Sequence, residues 1–193
     1  MTIGNTDERK ERKWGEYFMI GFHREKKPDM QGVNLFVSIL VCYPEISTVN
    51  YEPEHDTIHF TFAMNAIPNK LDYERVGHLL QESILTYHSL EGYKARRIEV
   101  YLEGQGHTAF FNIVRDVQSI SRGEISLITA LMRDNFGDIL MTDPGQDDSD
   151  DVEADIIAHE DAIDHMIHTL KHTRLKSRLV GIREEGRVLV FNK

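Results

Sequence analysis

The segment Thr57–Met64 reads T-I-H-F-T-F-A-M, and it restricts the fold of this chain more tightly than any other stretch. Ile58, Phe60, Phe62 and Met64 alternate with Thr57, His59, Thr61 and Ala63. A period of two belongs to a strand with one buried face and one polar face. Such a strand sits in an antiparallel sheet with helices over its apolar side. Ile46 to Tyr51 precedes it across the turn-rich E-P-E-H-D, which makes the pair a hairpin.

The same helix-then-hairpin order is read three times. Helix 29–43 leads into hairpin 46–64, helix 72–91 into hairpin 97–115, and helix 152–175 into hairpin 178–192. Tyr73, Val76, Leu80, Ile84 and Tyr87 form the stripe of the second helix, and Ile156, Ile163, Ile167 and Leu170 that of the third. A shorter helix, 123–137, interrupts the series with Ile125, Ile128, Leu131 and Met132 as its core side. The units do not repeat residue by residue, so the repetition is one of topology.

The expected fold is therefore α+β: an antiparallel sheet of about six strands built from helix-then-hairpin units, with the helices packed on one face. Residues 1–141 form the main domain, 142–151 an acidic mobile loop (T-D-P-G-Q-D-D-S-D-D runs through it), and 152–193 a C-terminal helix and hairpin of the same domain. The rival arrangement makes the C-terminal unit a separate dimerisation arm hinged at that loop.

Two segments read both ways. Trp14 to Phe22 is apolar, but Gly15 and Gly21 weaken helix and strand alike. Pro28 and Asp29 open a helix through about Cys42, with Pro44 marking its end. Within it, Val33, Val37, Ile39 and Val41 are β-branched and fit a strand equally well.

Composition narrows the function classes. A net charge of −10 disfavours nucleic acid and anionic membranes as partners, since both are polyanions. The single Cys42 excludes an intrachain disulfide framework. Together with the polar opening M-T-I-G-N-T-D-E-R-K, it points to a cytoplasmic protein. The longest apolar run, Leu35 to Tyr43, is interrupted by Ser38 and falls far short of the ~20 residues of a membrane span.

The one concentration of chemically capable side chains lies on the third helix. At about 100° per residue, Asp161, His165, His168 and His172 share an arc of roughly 60° opposite the apolar stripe. Imidazoles at these spacings, headed by a carboxylate, can converge on a divalent metal such as zinc. The bland alternative is a solvated face with ordinary Asp161–His165 and Asp164–His168 pairs. His159-Glu160 is not followed by the second histidine of a zincin motif.

Other candidates are weaker. His55, His59 and His107 lie at or near hairpin turns and would meet if the hairpins align. Gly104-Gln105-Gly106 precedes a strand and not a helix, so it reads as a hairpin turn and not a phosphate loop. Basic steps lead from helix to hairpin twice, as Lys94, Arg96 and Arg97 and as Arg174, Lys176 and Arg178. They could bind phosphate or RNA, or simply complement helix C-termini. Cys42 sits in the most apolar run, where thiols are inert.

With no nucleophile, paired-carboxylate or kinase signature in view, the expected function is that of a non-enzymatic binding or assembly module with a protein partner. A metal-dependent protein using the histidine ridge is the first alternative, and an RNA- or phosphate-binding module is the second. The terminal V-L-V-F strand, with nothing after it, is expected to be an uncovered edge that pairs with a second copy as a homodimer.

Overall fold

Three hairpins build the sheet, and each follows a helix. In the computed structural model the described residues are 18–21, 30–142, 150–184 and 186–192. In chain order they form β1 (Phe18–Gly21), α1 (Met30–Cys42), β2 (Thr48–Glu52), β3 (Thr57–Met64), α2 (Lys70–Leu90), β4 (Ile98–Gln105), β5 (Thr108–Asp116), α3 (Arg122–Phe136), α4 (Asp150–His172), β6 (Leu179–Glu184) and β7 (Arg187–Asn192). The strand order is β1-β7-β6-β2-β3-β5-β4. From β7 to β4 every pairing is antiparallel, with the β2–β3 hairpin central and the other two hairpins flanking it.

A seventh strand exceeds the expected six and moves the edge. β1 pairs parallel with β7, Phe18 opposite Val188 and Gly21 opposite Phe191. The V-L-V-F strand is therefore enclosed between β1 and β6 and is not an edge; among the described residues the edges are β1 and β4. β1 is only four residues long, too short for an alternation to stand out. Of the undecided segment 14–22, residues 18–21 are strand, and 14–17 and 22 lie outside the described residues. Most of the acidic segment 142–151 lies outside them too.

The register explains the core. Val190, Gly181, Val49, Phe60, Ile113 and Val100 form one row across six strands. Helices cover this face. Tyr73 of α2 meets Phe111 edge-on at 5.6 Å, and Phe136 of α3 lies 5.8 Å from the same ring. Phe36 and Leu40 of α1 lie over Gly181, where an added Cβ would stand 3.2 and 3.1 Å from them. Reciprocally, a Cβ at Gly32 of α1 would stand 2.5 Å from Leu179 Cδ1 and 2.6 Å from Leu175 Cδ1. These two glycines set how closely α1 rides on β6.

α1 is a helix, which resolves its double reading. It is sandwiched, with β2, β6 and β7 on one side and α4 on the other. Val33, Leu35, Phe36, Ile39 and Leu40 are all buried, on more than one side of the helix. A helix buried on two sides shows no clean polar stripe, which is why its sequence resembles a strand. α2 and α3 are amphipathic and capped. Asn69 accepts the Asp72 N–H at 2.9 Å, and Ser121 accepts the Glu124 N–H at 3.2 Å. α4 buries Ile163, Ile167 and Leu170 and is tied to α3 by Arg122, which pairs with Glu160 at 3.2 Å and Asp164 at 2.8 Å.

Candidate functional site

The histidine ridge lies where the helical period places it. Asp161, His165, His168 and His172 are all exposed on the outer side of α4. The rings of His168 and His172 are 4.5 Å apart, and His172 Nδ1 lies 2.8 Å from the His168 carbonyl. Asp164 turns to Arg122 and not to His168. Among the described residues, no three or more His, Cys, Asp or Glu side chains are gathered to hold a metal ion.

The hairpin histidines are separated by the register. Thr57 pairs with Asp116 at one end of β3, and Met64 with Ala109 at the other. His55, in the β2–β3 turn, therefore lies at the opposite end of the sheet from His107, in the β4–β5 turn, and the two cannot meet. Gly106, with φ of 65°, makes that second turn, so G-Q-G is a hairpin and not a phosphate cradle.

His59 stays on the uncovered sheet face, with one arginine of each basic step in its surroundings. Arg97 and Arg178 act on it from its surroundings, but each already holds a carboxylate: Arg97 pairs with Glu99 at 2.7 Å and Arg178 with Glu52 at 3.4 Å. Arg174 reaches Asp56 at 3.5 Å, and the Arg96 N–H donates to Asp116 at 3.0 Å. A phosphate at Arg97, Arg174 or Arg178 would have to displace these carboxylates.

Burial, and then the Arg97 charge, hold the His59 imidazole below its usual range. The unfolded chain then takes up its proton at higher pH than the folded one. Stability from this group is complete above the unfolded value near ~6.5 and falls as pH drops through it toward the folded value. His59→Asn is expected to flatten melting temperature between pH 7 and pH 5; an unchanged pH slope would contradict this.

The strongest polar cluster was not expected from the sequence. Arg115 of β5 and Glu124 of α3 are fully buried, and His88 of α2 is 2% exposed. Arg115 Nε and Nη2 donate to Glu124, Nη2 also to Ser119 Oγ at 3.0 Å, and Nη1 to Asp116 and to the Arg97 carbonyl. His88 Nε2 lies 2.5 Å from Glu124 Oε2, a carboxylate already accepting from Arg115, so the imidazole donates. Burial works against the Asp116 charge, yet Ser119, the Arg97 and Arg96 N–H groups and Arg115 hold its carboxyl below the usual range.

This cluster joins the ends of α2, α3, β4 and β5. Sealed from solvent, it acts as a brace and not as a substrate site. Its available signal is a breach of alternation: after Phe111 and Ile113, the next core-face position of β5 is Arg115. Cys42 is half-buried, and burial, with Glu160 adding to it, pushes its thiol up to about 12, which disfavours the reactive thiolate.

Two surfaces remain. The sheet face opposite the helices carries Asn50, His59, Thr61, Glu99, Tyr101, Glu103, Phe110, Val180, Ile182, Leu189 and Phe191, and no described helix lies over it. β4 is the long edge, eight residues, and the helix beside it is α2. α2 and the turn after it leave Leu71, Leu85, Leu90 and Tyr93 exposed, at 78%, 54%, 82% and 68%.

No protein-family model matches this chain, and neither the curated proteins nor the solved structures give a match to it.

Proposed function

We propose that this chain is a non-enzymatic assembly module that works as a homodimer and binds a further protein on its uncovered sheet face. The observation that carries the reading is the exposed edge β4 beside a helix that presents leucines to solvent. An edge strand offers a row of free N–H and C=O groups, and a two-fold copy of the same edge is the commonest way to satisfy them. The richest polar cluster is sealed from solvent, and Arg97, Arg174 and Arg178 of the basic steps already hold carboxylates, which weakens both as ligand sites. Among the described residues no helix is long and apolar enough to cross a membrane. A half-buried Cys42, its thiol pushed up to about 12, suits a reducing cytoplasmic setting. Light scattering at tens of micromolar is expected to return twice the 22.3 kDa of the chain. A monomer mass there would overturn the reading.

A second reading is favoured by one feature, the approach of the His168 and His172 rings beside exposed His165 and Asp161. Under it, zinc binds the neutral imidazoles and raises the melting temperature more at pH 8 than at pH 5.5, an increment lost in His168→Ala. Protein purified without a tag and free of stoichiometric metal, with melting insensitive to zinc at pH 8, removes this reading.

A further inference from the structure

Resting on the assembly reading, we infer that β4 pairs antiparallel with β4 of a second copy about a two-fold axis at Val100.

The outward backbone groups of β4 follow from the ladder. The Val117 N–H donates to the Asp56 carbonyl at 3.0 Å, which makes that position a hydrogen-bonded pair in the β3–β5 ladder. Such pairs alternate along an antiparallel ladder. Odd-numbered residues of β5 therefore turn their backbone groups to β3, and even-numbered ones turn theirs to β4. Val114, Asn112 and Phe110 bond Glu99, Tyr101 and Glu103. Ile98, Val100 and Leu102 are left with N–H and C=O facing away from the sheet. The tight β4–β5 turn, closed by Gln105 opposite Thr108, gives the same parity. So does the Tyr73 hydroxyl, which reaches the Val100 carbonyl from the helix layer at 3.4 Å.

Side chains then choose among the registers that the backbone permits. With Val100 opposite the partner's Val100, Ile98 meets the partner's Leu102 under the helices. On the uncovered face, Glu99 meets the partner's Tyr101 and Arg97 meets the partner's Glu103. The two-fold repeats each pair, so opposite charges face one another twice. Centring the axis on Tyr101 places Glu99 opposite the partner's Glu103, and centring it on Glu99 places two copies of Glu99 face to face. Like charges directly opposite are destabilising, and opposite charges are favourable. Above the axis α2 presents Gly77, where an added Cβ would stand 3.7 Å from Val100 Cγ1.

The register is read by cross-linking in a Cys42→Ser background. Glu99→Cys and Tyr101→Cys proteins are oxidised separately and as an equimolar mixture. Positions 99 and 101 lie opposite each other as a non-hydrogen-bonded pair, where side chains approach closely enough for a disulfide. A covalent dimer is expected in the mixture and not in either protein alone. Cross-linking of Tyr101→Cys alone, or of Glu99→Cys alone, overturns the Val100 axis. So does a wild type of dimer mass with no cross-link in any sample, which places the contact elsewhere and leaves the dimer standing. A wild-type monomer overturns the dimer and the axis together.

Discussion

Arg115→Met is expected to lower the unfolding free energy by about 3–5 kcal/mol, because it strands buried charge. The guanidinium is fully buried and pairs with Glu124, itself fully buried, and with Asp116 at 3.1 Å. Methionine fills much of the volume but donates nothing. Glu124 keeps only His88, and the Arg97 carbonyl loses its donor. Apolar replacement of both partners avoids the stranded carboxylate, so Arg115→Met with Glu124→Leu should lie nearer to wild type than Arg115→Met alone. Urea denaturation at one fixed protein concentration measures both, since a dimer's stability depends on concentration. A loss below about 1 kcal/mol for the single variant, the scale of an exposed ion pair, would show that the cluster does not brace the fold.

Phe111→Ala is expected to cost a similar amount, about 3–5 kcal/mol, through a different mechanism. Phe111 is fully buried, and its ring is the meeting point of Tyr73 from α2 and Phe136 from α3. Its loss opens a cavity at the place where two helices dock on the sheet, and neither neighbour is free to fill it without moving its helix. The same urea titration reads this loss. A cost under about 1.5 kcal/mol, within the range of a tolerated volume-conserving swap, would mean that the helices collapse onto the vacated space.

The elements that the sequence revealed are those that present two unlike faces. β3 alternates because helices cover one side of it and solvent lies on the other. α2, α3 and α4 show apolar stripes because each packs from one side only. α1 reads ambiguously because it is buried on two sides and its remaining outward side carries Val37 and Val41 beside Asn34. β1 escapes because four residues carry too little alternation and its pairing with β7 spans most of the chain. That contact removed the edge expected at V-L-V-F and left β4 as the long exposed edge.

The candidate sites divide in the same way. Spacing along one helix placed Asp161, His165, His168 and His172 together on the outer side of α4, as local geometry must. Spacing could not align His55, His59 and His107, because their separation depends on strand register. The Arg115, Glu124, His88 and Asp116 brace draws on three elements, and its assembly depends on how α2 and α3 dock at the end of β5. Only the charged residue at a core-facing position of β5 hinted at it. A polar start to α3 and a histidine at the end of α2 are ordinary at helix termini and carry no signal of it.

The account rests most on β4 as the assembly edge, and Val100→Pro tests that directly. Proline removes the Val100 N–H, which faces away from β5, so the ladder within one chain keeps its hydrogen bonds. The pairing with a second copy loses a donor at its centre and meets the pyrrolidine ring. Sedimentation equilibrium is run on wild type and variant at tens of micromolar, with circular dichroism to show that both are folded. The account predicts twice the 22.3 kDa chain mass for wild type and the chain mass for a folded Val100→Pro. A folded variant that keeps the dimer mass, or a wild type that is already monomeric, would contradict it.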